Sequence, residues 1–443
     1  MTSTYYALIA DPTGKHILMS PTESGWTLPR LPIAEDFWWQ DVGPVNRAAH
    51  AQWGWRVNTL NCVHIIGVEG DEAAKLIYAL EPHALNGYTP DGTRWVETDA
   101  VRTLTLVWPE QPDLIAIWLA SQKTTLVPWY RPGWREGALR WAQTQLAQHG
   151  LVLSAEPEQV RSWERSSLWR FPTLGGAAYF KAVPAMFAYE PRLSQALADW
   201  LPGRCAPVLT IEPTQHWLLM GDAGPRSLLR DRDVTNWEAA LRQYAEFQIA
   251  LTSRVNDLLA LGVPDRRLEV LPERLETLLA DTAALKNSPA GLSDDEIAAL
   301  RKRQPEWLEA CRALAVSPIP ASLEHGDFAS GQIIAAPNGE YKFIDWSDSS
   351  VSFPFFSLLF FWAELQGELD NPTEARQRLR DAYLEPWMAY ASKRELIDLY
   401  ELAMAVSPLH HALIYHRTIL PSMVMKWEME RMLPYYLRVA LRG

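Results

Sequence analysis

The segment from His325 to Asp348 holds the residues best suited to chemistry. HGDF (His325 to Phe328) is followed by QIIAA, then by Pro337, Asn338 and Gly339, then by EYKFIDW. Asn-Gly between two apolar runs is a strong short-range hairpin signal. A hairpin returns the chain to its origin, so Asp327 before the first strand and Asp345 at the end of the second come to face one site. Phosphoryl transfer needs two such carboxylates, one to hold Mg²⁺ against nucleotide phosphates and one to orient and deprotonate an attacking hydroxyl. Gln332, five positions after Asp327, stands where a further oxygen ligand for the metal would be. His325 reads as a support that donates to loop backbone, and Asp348 as either an outer contact of the metal or a turn cap.

The elements that must position this segment are mixed. From Tyr5, YYALIA, the turn Asp11 to Gly14 and HILMS read as a hairpin. CVHIIGV and KLIYALE read as further strands, and residues 41–55 as a helix closed by Gly54, so residues 1–122 form a small α+β domain. A bridging helix follows, starting at Pro132 and ending at Gly150, with Leu139, Ala142 and Leu146 on one face. SLWRF, AAYFKAV and HWLLMGD then read as a half-buried antiparallel sheet. From Trp237 the pattern is helical, with Ser293 and Glu296 in capping-box spacing and Pro305 as an expected kink. Residues 318–353 interrupt the helices, and FPFFSLLFFWAEL reads as a buried helix behind the loop.

HGD, an amide five residues past the Asp, a hairpin and then IDW together resemble the aminoglycoside phosphotransferase family of kinase-like enzymes. The resemblance spans residues 155–440. It implies a two-lobed protein-kinase-like fold with a small, mostly β lobe and a large, mostly α lobe, and transfer of the γ-phosphate of ATP, with Mg²⁺, to a hydroxyl of a small molecule. It assigns Asp327 as base and Asp345 and Gln332 as metal ligands. It also assigns Lys181, in AAYFKAV, to the phosphates, and Glu190, in EPRLSQALADWL, to positioning that lysine. Gly175 and Gly176 would lie in the turn over the phosphates, and backbone near Met220 to Asp222 would meet the adenine. Gln332 stands where the family usually has Asn, Ala329 where it often has His, and Ser357 after Pro354 where an Asp commonly braces the catalytic loop, so the brace is expected to be weaker or apolar.

GWTLPRLP followed by VNRAAHAQWGWRV resembles the Nudix box. Aligned on Gly54, Arg47 matches, but Ala48, Ala51 and Gln52 occupy the positions of metal-binding glutamates. A Mg²⁺-dependent hydrolase needs those carboxylates. The implied organisation is α+β throughout: a degenerate Nudix-like α/β domain (1–122), a helical bridge (123–154), a kinase-like N-lobe (155–222) and a C-lobe (223–443) carrying the catalytic loop and the acceptor-binding helices. Two rivals stay open, a catalytically silent pseudokinase that binds nucleotide or ligand, and a Nudix-type hydrolase.

Composition sets the outer limits. A chain of 443 residues exceeds one ordinary core, and 48% hydrophobic with 21% charged residues is globular. A net charge of −12 gives no drive toward nucleic acid or an anionic membrane. Three separated cysteines build neither a zinc site nor a disulfide framework. The start lacks a secretory pattern and the longest apolar run, Phe353 to Ala363, is shorter than a membrane span. The expectation is a cytoplasmic protein whose partners are ATP and a small hydroxylated acceptor; oligomeric state is not legible.

Overall fold

The structure is a computed structural model. It describes residues 3–66, 74–84, 89–123, 127–287, 290–365 and 372–442, with the side chains of 364, 365 and 372 set aside. The fold is mixed α+β. By internal contacts the chain divides into two units, Met1–Pro184 and Ala185–Gly443.

In the first unit, strands Thr4–Leu8 and Lys75–Pro82 run parallel at the centre of a sheet flanked by Arg30–Leu31 and Val57–Ile66. His16–Thr22 pairs with Gly25–Thr27 and with Arg94–Glu97 in a second, antiparallel sheet. The Asp11 to Gly14 turn is present, with Asp11 Oδ1 accepting from the Lys15 amide at 2.9 Å. The strands it joins nevertheless enter different sheets and meet through an isolated bridge, Ala10 to Ile17. Burial is the reason. Leu8, Ile17 and Met19 all enter one core with Ile77, Trp108 and Ile115, and two sheets cover that core better than one isolated hairpin can. The ends of the CVHIIGV run, Gly67 and Val68, lie outside the described residues.

The helix expected over residues 41–55 is Gly43–Trp53, and Gly54 closes it in the left-handed region at φ +70°. The bridging helix is Trp134–Gln148; Leu139, Ala142 and Leu146 are buried, and Gly150 follows at φ +70°. Residues 124–126 of the expected bridge lie outside the described residues. Strands Glu158–Trp163, Ser166–Thr173 and Gly176–Ala182 then form an antiparallel meander.

This meander belongs to the first unit because it is hydrogen-bonded into it. Gln159 accepts from the Thr59 amide at 2.8 Å and donates to the Thr59 carbonyl at 2.9 Å, so a buried side-chain amide stands in for a strand neighbour. Asn46 Nδ2 also donates to Gln159 Oε1 at 3.1 Å. Ser162 Oγ donates to the Leu60 carbonyl at 2.6 Å, and Arg161 pairs with Asp41 at 2.8 Å. The contact boundary therefore falls after residue 184, inside the stretch read from sequence as one small lobe.

The second unit is mainly helical. Helix Val234–Leu251 runs beside the interruption and buries Trp237, Leu241, Tyr244 and Gln248. Helix Asp294–Ala315 starts at the Ser293/Glu296 capping box and continues through Pro305. Helix Lys393–Ile414 opens on a second capping box, Ser392/Glu395, and passes into a π-helical turn, Tyr415–Ile419. The interruption itself contains Ser322–Glu324 paired with Ser350–Ser352, and Ile333–Ala335 paired with Tyr341–Phe343. Behind it, a 3-10 turn Pro354–Ser357 leads into helix Leu358–Leu365, with Phe355, Phe356 and Phe361 fully buried. No helix of the described residues is long and apolar enough to cross a membrane.

Replacing Gln159 by Leu strips partners from both backbone groups of Thr59. Each buried group left unmatched costs on the order of 1–3 kcal/mol. Thermal melting of Gln159→Leu is therefore expected to fall by several degrees, at roughly 2–4 °C per kcal/mol for a unit of this size. An unchanged melt would show that the amide bridge does not hold the meander to the first unit.

Candidate functional site

The loop HGD begins where strand Ser322–Glu324 ends. Gly326 has φ +78°, and a Cβ placed on it would lie 2.2 Å from the Asp348 carbonyl oxygen and 2.7 Å from the Asp348 Cβ. Glycine is required on both counts, since the left-handed region disfavours other residues and the neighbour is backbone. This contact presses the loop carrying Asp327 against the segment that begins at Asp345. The hairpin between them turns over Ala336 to Gly339, with Gly339 in the left-handed region at φ +82° and a bond from its amide to the Ala336 carbonyl. Its open side is unlike Gly326, for a Cβ on Gly339 would meet nothing within 4 Å.

His325 is fully buried and its Nε2 donates to the Ile344 carbonyl at 3.0 Å. That bond ties the HGD loop to the residue before Asp345, which is the backbone support expected of it. Burial lowers the His325 pKa, so the ring is neutral, with its hydrogen on Nε2. Asp345 itself has φ +67°, an uncommon conformation for a residue with a side chain. Ser347 Oγ donates to Asp345 Oδ1 at 2.9 Å and helps fix its carboxylate. Tyr189 Oη bonds the Ser347 and Ser349 carbonyls at 2.5 and 3.1 Å, pinning the chain beyond.

Gln332 lies in the short turn Ser330–Gln332, and its Nε2 donates to Asp327 Oδ2 across a long 3.4 Å. The other amide atom, Oε1, is buried and has no hydrogen-bond partner among the described residues. An orphaned buried oxygen is costly unless a cation or donor reaches it. The donor set therefore fits Mg²⁺: two carboxylates nearby and one unmatched amide oxygen, all hard ligands, for an ion that keeps several waters and takes phosphate oxygens as well. Among the described residues no group of three or more His, Cys, Asp or Glu could hold a metal, so this ion would rely on the nucleotide for further ligands.

The expected brace is polar. Ser357 Oγ accepts the His325 amide at 3.1 Å and shares a 2.9 Å bond with Tyr244 Oη, so a neutral hydroxyl does what was expected to be weak or apolar. Gln248 completes the support: its Nε2 donates to the Leu323 and Pro354 carbonyls at 3.0 and 3.1 Å, and its Oε1 accepts from Tyr383 at 2.6 Å. Tyr244 stacks on Phe328 with ring centroids 3.9 Å apart. Ala329 is buried.

Glu324 was not among the residues expected at the site. It is fully buried, receives the Gly326 amide at 2.7 Å, Ser350 Oγ at 3.2 Å and His410 Nε2 at 3.1 Å. Burial alone would raise its pKa, but the His410 bond and charge, with the Gly326 amide, outweigh it and hold the carboxyl at about 2. Arg266, also buried, donates to the Asp348 carbonyl at 3.3 Å. A single Glu or Arg next to apolar residues carries no local spacing signal, so only the tertiary partners reveal these roles.

Lys181 is buried on strand Gly176–Ala182, opposite Leu168 in the neighbouring strand. Glu190, buried, opens helix Glu190–Trp200 of the second unit. Leu174 and Gly175 form the turn before Gly176, and a Cβ on either glycine would meet nothing within 4 Å, which leaves the turn open to a ligand. Met220 lies on strand Trp217–Gly221 opposite Val208, and Asp222 Oδ1 accepts from the Gly224 amide at 3.0 Å. Gly224 in turn sits against Ile334 and Ala335, so this segment reaches the strand Ile333–Ala335 of the hairpin. Within the second unit Gln332 thus touches the Asp327 carboxylate, and its carbonyl accepts from the Ile344 amide beside Asp345.

Two outcomes follow. Gly326→Ala combines a left-handed backbone penalty with a backbone clash and is expected to cost roughly 2–5 kcal/mol, against about 1–2 kcal/mol for Gly339→Ala. Chemical denaturation of both variants checks the ranking. For Glu324, a folded pKa below the unfolded value of about 4.3 means the stabilisation is present above that pH and is lost as pH falls toward 2. The denaturation midpoint of wild type minus that of Glu324→Gln should shrink steadily across this acid window; a constant difference would rule the linkage out.

No family model matches the chain, and no curated protein sequence does. Solved structures do match. Choline kinase from Cryptosporidium parvum shares 12% identity, covering 74% of this chain and 93% of that chain, with a TM-score of 0.44. A macrolide 2′-phosphotransferase from Brachybacterium faecium shares 14%, covering 66% and 96%, at 0.45. An ethanolamine kinase from Plasmodium vivax matches over 73% of this chain and 92% of that chain at 14% identity and a TM-score of 0.50, a likeness of fold. Most of this chain therefore adopts the kinase-like fold of that enzyme.

Proposed function

We propose that this chain is an ATP-dependent phosphotransferase that moves the γ-phosphate of ATP to a hydroxyl of a small molecule. The observation that carries the reading is the Gly326 to Asp348 contact between the loop of Asp327 and the segment that begins at Asp345, with Gln332 bonded to Asp327 and its Oε1 unmatched. In this reading Asp327 accepts the proton of the acceptor hydroxyl. The acceptor oxygen then forms a bond to the γ-phosphorus as the bond to the ADP oxygen breaks. Asp345 and Gln332 Oε1 would hold Mg²⁺. The ion, when bound, neutralises charge on the β- and γ-phosphates.

Lys181 is assigned to the α- and β-phosphates and Glu190 to positioning Lys181. The open turn at Gly175 and Gly176 covers the phosphates, and backbone from Met220 to Asp222 meets the adenine. Positioning and charge stabilisation supply most of the acceleration in such a site. The left-handed Asp345 supports its assignment, since backbone held in an unfavourable region persists where surrounding structure fixes it.

For residues 1–122 the proposal is a Nudix-like domain without hydrolase activity, kept for binding or packing. Supporting it, Ala48, Ala51 and Gln52 stand on helix Gly43–Trp53 where carboxylates would be needed, and Arg47 is engaged by Glu35 at 2.8 Å. The proposed organisation remains 1–122, 123–154, 155–222 and 223–443, with the meander of the small lobe hydrogen-bonded to the N-terminal domain.

A screen of hydroxylated metabolites by ATP consumption identifies the acceptor. With it, Asp327→Asn is expected to retain the nucleotide-dependent thermal shift while turnover drops by about 10²–10⁴-fold. Asp345→Asn should lose the Mg²⁺ dependence of that shift. Undiminished phosphate transfer by Asp327→Asn would sink the assignment, and nucleotide binding by wild type with no turnover on any acceptor would favour a silent binding protein.

A further inference from the structure

A second polar site lies in the helical unit, on the far side of Arg266 from the catalytic loop contact. It is a cleft of about 230 Å³ lined by Asp265, Arg266, Arg274, His410, Arg417 and Thr418, with Pro264, Leu271 and Leu413 as its apolar wall. A water occupies about 30 Å³ of liquid, so this space admits an oxyanion with part of its hydration. Three guanidinium groups and one carboxylate line it. That carboxylate is already taken: Asp265 accepts from Arg267 Nε at 3.0 Å and Nη2 at 2.7 Å. Arg274 Nη1 donates to the Asp265 carbonyl rather than to its side chain.

Neither Arg274 nor Arg417 makes an ion pair among the described residues. Arg266 uses its Nη1 on the Asp348 carbonyl and its Nη2 on Thr418 Oγ1, both at 3.3 Å, which leaves donors of a five-donor group over. Burial and then the neighbouring Arg417 lower the Arg274 pKa, and Asp265 and Glu273 offset this only in part. The buried carboxylates that act on Arg266, Glu324 and Asp348, lie on the loop side, and Glu324 is occupied by His410 Nε2. His410, fully buried, has its Nδ1 without a partner among the described residues. The π-helical turn Tyr415–Ile419, a distortion frequent at functional sites, carries Arg417 and Thr418.

We propose that this cleft binds an oxyanion, a phosphate or carboxylate group of a small ligand. Guanidinium forks match such groups in two-point contacts, and three like charges beside a single, already paired carboxylate are relieved by an anion. A phosphate oxygen, as acceptor or as hydroxyl donor, would also partner His410 Nδ1. The Asp348 carbonyl joins Arg266 to Gly326, so an anion here sits one backbone group from the catalytic loop. Its source is either an anionic group on the acceptor or free phosphate acting as an effector. The first alternative rests on the phosphotransferase reading, and it makes the acceptor an anionic metabolite, since a polycation would be repelled.

The test titrates inorganic phosphate into the full chain at constant ionic strength by calorimetry. Wild type is expected to bind saturably, Arg417→Ala and Arg417→Gln to bind at least about tenfold more weakly, and Arg417→Lys to lie between. Arg417 is exposed, so its variants should melt like wild type. Absence of saturable binding overturns the proposal. So does binding that survives Arg417→Ala, or that is lost instead in Lys181→Ala, which would put phosphate at the nucleotide site. Because binding is read without turnover, failure here differs from failure of the phosphotransferase reading. In the ATP-consumption assay, phosphate competing with the acceptor identifies the acceptor's own anionic group, and a change in rate without competition identifies an effector.

Discussion

The contact between Gly326 and the backbone of Asp348 governs the rest of the helical unit. Two loops, one carrying Asp327 and the other starting at Asp345, can approach to this distance only if the first has no Cβ and bends through the left-handed region. Once they touch, their polar backbone groups are removed from water and must be matched inside the protein. Much of the surrounding sequence serves that need. His325 satisfies the Ile344 carbonyl, Ser357 the His325 amide, Glu324 the Gly326 amide and Arg266 the Asp348 carbonyl.

This framework is built from unlike parts. Ser357 and Gln248 are neutral and form a chain of hydrogen bonds through Tyr244 and Tyr383. Glu324 is ionised and buried, which is tolerable only because three donors converge on it. Aromatic packing by Phe328, Tyr244, Trp346 and Phe247 excludes water from the same region, so each of these bonds is stronger than it would be at the surface. The neutral hydroxyl at Ser357 shows that the loop amide needs an acceptor there but not a charge.

Charge placement divides the helical unit into two zones. Asp327 and Asp345 supply two carboxylates and Gln332 an unmatched amide oxygen, a set that would suit a cation. Across the Asp348 carbonyl the lining turns to arginine, with Arg266, Arg274 and Arg417 around one cleft. Fields of opposite sign thus lie on either side of one carbonyl.

Short-range signals determined a good deal. The capping box at Ser293 and Glu296, the glycine stop at Gly54, the Asn-Gly turn and the alternating strands each depend on a few neighbouring residues, so the sequence alone was enough to place them. The spacing of Asp327, Gln332 and Asp345 around that turn pointed to the candidate site for the same reason. Tertiary structure decided what depends on distant partners. The strands flanking Asp11 to Gly14 went to separate sheets because long-range parallel pairing buried more apolar surface than a local hairpin. Gln159 drew the meander into the N-terminal unit through bonds to Thr59, and Ser357, Glu324 and the arginine cleft gained meaning only from residues far away in the chain. A buried polar residue is defined by the partner it finds, and that partner cannot be read from spacing.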